Sequence, residues 1–423
     1  MLFRSWYESG HNNWTKIMGG DGMQIQIDNR NNNIVYTGLQ FGNYYRLDLS
    51  NNDRKSIKPK HKLGDSPLRF NWQTPILISP HNQDIIYFGS NKLHRSFNKG
   101  DDWEEISKDL TSGGKKGNVP YGTITSFDES NFQFGKLIVG SDDGIVSIST
   151  DSGKTWKSVS DNLPPDLWVS RVIFSKHEKN TIYLSLNGYR YNDFKPYIYV
   201  SNDNGDSWEN ISSNLPLSPV NVIREDINRK EILYVGTDNG LFISFNSGKK
   251  WHPFESSLNR VAVHDLVIQN EKNDLLVGTH GRSIYKTNLD LFNDFINEKN
   301  EEKPLIIFEI NDLRHSNSWG KRSNYSDDVF KSSVKTIVYS DKSIIYDYTI
   351  TDNFNNILNK GKLNLDKGFN NIEIMPMINY SIATKKLKKI GISSEKSEDG
   401  NIYLPKGDYI LKINDFSRKF SIK

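Results

Sequence analysis

Two aspartates in this 423-residue chain have settings that suggest chemistry. Asp21 stands among glycines in Gly19-Gly20-Asp21-Gly22, and Asp226 ends Arg224-Glu225-Asp226. Cleaving a glycosidic bond takes two carboxyls held roughly 5–9.5 Å apart, one as acid and one as base or nucleophile. Asp21 with Asp226, or with Asp143, would supply such a pair if the fold brought them to one face. The competing reading of Asp21 is a tight turn closed by an Asx hydrogen bond. A second cluster, His280-Gly281-Arg282, sets a titratable ring and a guanidinium around a glycine that lets another group approach closely. It reads either as a holder for an anionic ligand or as a hairpin in which Arg282 pairs with a carboxylate such as Asp265. Arg224 is open to the same two readings, ligand binding or an ion pair to a neighbouring element.

Other chemistries have no foothold. The chain has no cysteine, which removes disulfides, thiolate metal sites and a thiol nucleophile. It has no phosphate-binding glycine loop, dinucleotide fingerprint, H-E-x-x-H or EF-hand pattern, so neither a cofactor nor a metal is expected. The net charge of +3 and a single dense basic run, Lys385-Lys386-Leu387-Lys388-Lys389, give no support for nucleic-acid binding. That run reads as a solvated loop. No apolar run is long enough for a membrane-spanning helix, so no membrane insertion is expected. The first ten residues lack the apolar core of a signal peptide, and as written the chain carries no export address.

The elements that must position these residues announce themselves by repetition. Ser149-Thr150-Asp151-Ser152-Gly153-Lys154-Thr155-Trp156 has the form S-x-D-x-G-x-x-W. It recurs around Ser201, Asp203, Gly205 and Trp208. With Asn in place of Asp it recurs around Ser96, Asn98, Gly100 and Trp103, and around Ser244, Asn246, Gly248 and Trp251. The four tryptophans are 53, 52 and 43 residues apart, a period that points to a propeller or solenoid. Asp or Asn can accept from backbone N–H groups nearby, Gly can take a positive φ, and Trp buries a large ring at the start of the next strand. These residues are therefore expected to be structural, a hairpin fastener.

Around the boxes, alternating strands define five blades at about 17–60, 70–110, 119–164, 167–216 and 219–258. A sixth unit, about 260–290, shows three strands and no box. Trp14-Thr15-Lys16-Ile17 is available as its fourth strand, which would close the ring with both chain ends. Residues 291–328 read as linker and loop, and alternating strands over 329–423 as a β-sandwich of immunoglobulin or fibronectin type.

The boxes resemble the Asp-box, or BNR, repeat of sialidases, sortilin-type ectodomains and related bacterial propeller proteins. Segments outside them are similar to one group, the large bacterial sortilin-like Asp-box propellers often called glycosyl hydrolases. These segments are Gly19–Gly22, Phe70–Pro80, Val222–Asp226 and Gly278–Ser283. The resemblance implies an all-β chain, an Asp-box β-propeller of about six blades, complete or incomplete, followed by an immunoglobulin-like β-sandwich. Members of that group are about twice this length, with a signal peptide and further blades upstream. That implies a periplasmic or secreted protein and, if this chain is a split form, a second propeller chain supplying missing blades. It also implies a non-catalytic, sortilin-like binding or scaffold protein for a peptide, protein or glycan. The alternative is a glycoside hydrolase, xyloglucanase-like or sialidase-like. The Arg-Ile-Pro-like stretch of sialidases is absent here, and Arg46, Arg95, Arg171, Arg224 and Arg282 are spread over the blades.

Overall fold

The computed structural model describes residues 16–117, 120–254, 258, 260–292, 303–323, 326–379 and 395–423. The chain is all-β, with short 3-10 turns at Tyr189–Tyr191 and Leu289–Leu291. Five sheets of four antiparallel strands follow one another, each in sequential order. Their inner strands are Gln26–Ile27, Ile76–Ile78, Ile124–Glu129, Trp168–Phe174 and Val220–Glu225. A sixth sheet has three strands, Val263–Gln269, Asp274–Thr279 and Ile284–Asn288. We number these sheets as blades one to six. Blade one ends in a strand at Asp53–Ser56, which carries no box and was not expected from the sequence. Trp14 and the run Lys385–Lys389 lie outside the described residues.

The boxes fasten each blade to the blade before it. In the third blade, Ser149 Oγ donates to Asp151 Oδ1 and accepts from Gly153 N, while Asp151 accepts from Thr155 N. The same bonds recur around Ser96, Ser201 and Ser244. Each Trp Nε1–H then donates at 2.8–2.9 Å to a carbonyl of the preceding blade: Trp103 to Ile57, Trp156 to Ile106, Trp208 to Val159 and Trp251 to Ile211. The box glycines, at φ of 85–91°, press onto those same four residues. A Cβ on Gly153 would lie 2.6 Å from the Ile106 carbonyl oxygen, so neither the dihedral nor the space admits a side chain. The motif is thus a clamp between blades as well as a local hairpin lock.

Blade six has no box, and the fifth junction is made differently. Phe254 occupies the place of Ile57, Ile106, Val159 and Ile211, donating its N–H to the third strand of its blade as they do. It is covered by Phe292 and by Phe369 of the C-terminal module, with ring centroids 5.9 and 5.6 Å away. Gly368, at φ 110°, takes the close approach of a box glycine, since a Cβ there would meet the Pro253 carbonyl at 2.6 Å. Tyr339 Oη and His252 Nδ1 share a hydrogen bond of 3.0 Å in the same interface.

The C-terminal module consists of two antiparallel sheets around one core. One sheet joins Leu305–Ile307, Val334–Ser340 and Gly368–Ile374. The other has the order Ile357–Leu365, Ile344–Asp352, Gly407–Ile413, Phe416–Ile422. Alternation decides the sides: Leu305 and Ile307 face the inner core, while Ile306 and Phe308 pack on the propeller. The stretch read as linker and loop, 291–328, differs in the structure. It contains the strand Leu305–Ile307, paired to Val338–Ser340, and the two-stranded ladder of Arg322–Ser323 and Ser326–Val329.

Candidate functional site

The inner strands all run the same way, so the ring has two unlike ends. Their starts, with the hairpins between second and third strands, form one end, which we call the mouth. Their finishes, with the box loops, form the other.

Side chains knit the mouth across blades. Thr125 Oγ1 donates to the Val169 carbonyl and Ser170 Oγ to the Val220 carbonyl. An amide relay runs from Asn187 Nδ2 to Asn221 Oδ1, and from Asn221 Nδ2 to Asp238 Oδ1. Above this floor lies an open cavity of about 670 Å3, lined by residues from all six blades, among them Gln24, Trp72, Trp168, Tyr189, Asn221 and His264. Blade four contributes most. Its mouth hairpin spans residues 188–196, whereas those of blades one, two and five need only 40–42, 90–92 and 238–239. The long hairpin leaves Tyr189, Tyr191 and Phe194 exposed, and Arg190 lies over the Trp168 ring at 4.0 Å. Trp72, half exposed, is braced edge-on by Phe41. The result is a broad aromatic lining with amide groups between the rings, a surface suited to stacking and directional hydrogen bonding.

Below the mouth the channel narrows to an ion cluster. Arg171 Nη2 reaches Asp265 Oδ1 at 2.8 Å and Arg224 Nη2 reaches it at 3.3 Å, while Arg224 Nε donates to the Leu266 carbonyl. Desolvation raises the Asp265 carboxyl, but the two guanidinium groups outweigh it and hold the pKa below the ordinary value. Burial, with repulsion from Arg171, lowers Arg224 to about 10. Desolvation and the neighbouring His280, whose ring centroid is 5.1 Å away, lower His264, which is therefore neutral at pH 7.

The opposite end holds carboxylates bound by the fold's own donors, although Glu129 Oε2 is buried without a partner. Glu129 accepts from Tyr87 Oη at 2.8 Å and Gly135 N at 2.7 Å. Glu225 accepts from Ser175 Oγ, Lys176 N and Tyr183 Oη. Asp226 accepts from Asn228 N, Arg229 N and Tyr234 Oη. Burial pushes the Tyr87, Tyr183 and Tyr234 hydroxyls up, which keeps them protonated donors.

The sequence candidates divide between these ends. Asp21 lies at the mouth end, between Gly20 and Gly22 at positive φ, with the Gln40 amide hydrogen-bonded to its carboxylate. Asp226 lies at the other end, so the two are not brought together. His280 lines the mouth, and Arg282 is exposed on the adjacent hairpin. Asp265, suggested as the partner of Arg282, is instead paired with Arg171 and Arg224. Arg224 makes the inter-blade ion pair of its second reading, at the wall of the channel. Sequence reasoning missed Trp168 and the 188–196 hairpin. Its signal was the long gap before Tyr197, dense in Tyr and Phe.

Among the described residues no group of three or more His, Cys, Asp or Glu side chains is placed to hold a metal, and no helix is long and apolar enough to cross a membrane.

Fold and site together define a β-propeller with clamped blades and a lined axial mouth. The model of the family described as sortilin, neurotensin receptor 3, matches residues 196–367, and this match supports the sortilin-like propeller family. A vacuolar protein sorting/targeting protein of Saccharomyces cerevisiae is 31% identical over 99 residues, 23% of this chain and 5% of that protein. Among solved structures, a GH74 enzyme of Niastella koreensis is 14% identical, covers 94% of this chain and 65% of its own, and has a TM-score of 0.48. PorZ, a surface component of the type-IX secretion system of Porphyromonas gingivalis, is 12% identical, covers 95% and 52%, and has a TM-score of 0.46. The chain thus spans about one-twentieth of its curated relatives and less than two thirds of these structures.

Proposed function

We propose that this propeller is a recognition module that takes an extended peptide segment of a protein ligand at its mouth. The observation that carries this reading is the cavity of about 670 Å3 whose wall combines exposed aromatic rings with amide side chains. An extended backbone presents N–H and C=O groups that Gln24, Gln73, Asn187 and Asn221 can meet, while Trp72, Trp168 and Tyr189 take its side chains. His280 and Arg282 border this mouth, with His280 on its wall. The match to a sortilin family model and to a sorting protein supports a protein or peptide ligand over a glycan. Glycoside hydrolysis finds less support, because Asp226 is consumed at the far end and Asp265 is held by two arginines.

The test is selection of linear peptides from a random display library on the immobilised chain, beside an array of neutral oligosaccharides. A selected peptide should bind the wild-type chain and lose about tenfold in affinity with Tyr189→Ala, one substantial aromatic contact. Oligosaccharide binding with release of reducing ends would overturn the reading in favour of hydrolysis.

A further inference from the structure

Hydrogen-bond donors and acceptors are unevenly left over in the mouth cavity. Most of its acceptor oxygens are engaged by the protein itself. Asn71 Oδ1 accepts from Gln73 N, Asn187 Oδ1 from Tyr189 N and Gln24 Oε1 from Ile76 N. Asn221 Oδ1 accepts from Asn187 Nδ2, and Asp238 Oδ1 from Asn221 Nδ2. The Gln73 amide and Asp238 Oδ2 remain, so free acceptors are few.

The donors are in the opposite condition. Trp103, Trp156, Trp208 and Trp251 each donate the indole N–H to a carbonyl of the preceding blade. Trp72 and Trp168 line the mouth and make ring contacts with Phe41 and Arg190, but among the described residues their indole N–H groups have no protein acceptor. The Arg190 guanidinium, stacked over the Trp168 ring, likewise has no acceptor among the described residues. Deeper in the wall, Arg171 Nε is buried without a partner. Indole and guanidinium groups donate and never accept. The wall therefore suits a ligand rich in acceptors and poor in donors, with flat apolar groups to lie on rings.

An ordinary peptide does not meet that description, since each residue carries an N–H beside its C=O. Sugar hydroxyls do not meet it either, because each donates as well as accepts. A polyproline II segment does. Proline has no N–H, and the backbone carbonyls of this helix make no internal hydrogen bonds and point outward. Its shape is largely set before binding, so little conformational entropy is lost on docking between aromatic rings. The rings are in place: Trp72 is 46% exposed and Tyr189 59% exposed, and Phe194 braces Tyr189 edge-on at 6.0 Å.

We infer that the segment this mouth takes is proline-rich and is bound as a polyproline II helix. Proline rings pack on Trp72 and Tyr189 and beside the Trp168–Arg190 stack, and the backbone carbonyls accept from the two indoles and the guanidinium. This inference rests on the peptide reading of the mouth and adds the class of peptide.

The test sequences the peptides selected on the full chain and measures their binding by fluorescence polarisation, beside fluorescein-labelled decaproline. Proline should be strongly enriched over the starting library, and decaproline itself should bind. N-methylation of the non-proline residues removes N–H groups that the mouth hardly uses, and should change affinity by less than about threefold. Trp168→Phe keeps a ring and removes a donor, and should weaken decaproline binding about three- to tenfold with thermal unfolding unchanged. Selected peptides that need Tyr189 but show no excess of proline would overturn the inference and leave the peptide reading standing. So would a loss of about tenfold on N-methylation at alternate residues, the mark of a strand-like backbone. Decaproline binding indifferent to both Trp168→Phe and Tyr189→Ala would overturn the inference as well. If neither decaproline nor any library peptide binds, the inference and the peptide reading fall together.

Discussion

The two ends of the propeller channel are built from the same strands and have opposite characters. At the box end, the buried carboxylates are held by the fold's own donors. Glu129, Glu225 and Asp226 are each held by two or three donors, and the boxes clamp blade to blade. At the mouth, the hairpins vary in length, aromatic rings stand exposed, and hydrogen-bonding amides face an open cavity. A repeat architecture can afford this division, since fastening one end of every blade leaves the other free to diverge. Carboxylates alone would not have separated the ends, since Asp21 and Asp143 lie at the mouth and Asp226 at the box end.

If the box end is structural, removing one of its acids should cost stability and leave recognition intact. Glu225→Ala leaves the Ser175 hydroxyl, the Lys176 N–H and the Tyr183 hydroxyl without their acceptor, and should destabilise by about 3–5 kcal/mol. Glu225→Gln keeps an acceptor oxygen and should lose less than half of that. Denaturant midpoints measure both, and unchanged midpoints would break the comparison.

Acid should unfold the protein through two buried histidines, His94 beneath the mouth hairpin of blade two and His252 at the junction with the C-terminal module. Burial lowers His94 and His252 to about 4. The unfolded chain, with histidines near 6.5, takes up protons that the folded chain refuses. Stability is therefore full above about pH 6.5 and falls as the pH drops towards 4, by on the order of 3 kcal/mol per histidine. Melting temperatures across that range should decline, and the double variant His94→Gln/His252→Gln should flatten the decline.

A single clamp is worth less. Trp156→Phe keeps an aromatic ring but leaves the Ile106 carbonyl without its indole donor, a loss of about 1–2 kcal/mol readable in the same denaturation experiment. Smallest of all in stability should be Tyr189→Ala, within about 0.5 kcal/mol because the ring is exposed, although it should be the most damaging of these variants to peptide binding.

The sequence and the structure agree where the signal is local. The boxes set their own hairpins, and alternation set the inner strands of the blades. What depends on ring closure was not legible. Arg171 and Asp265 are 94 residues apart and meet only because blades four and six share the channel. Asp21 and Asp226 looked alike as candidate acids, and only strand direction separates them. The strand Leu305–Ile307 is an apolar run between two polar stretches, and its partner, Val338–Ser340, comes only after an intervening hairpin. The fifth clamp was invisible for a similar reason: Gly368 and Phe369 stand in for a box without any of its sequence.

The most direct test of the mouth as the recognition end is photo-crosslinking of a library-selected peptide to the chain. Benzoylphenylalanine would be placed at position 189 in one preparation and at position 176, at the box end, in the other. Crosslinking from 189 alone is the predicted result. Crosslinking from 176 alone would place recognition at the end assigned here to fastening, and would contradict the account.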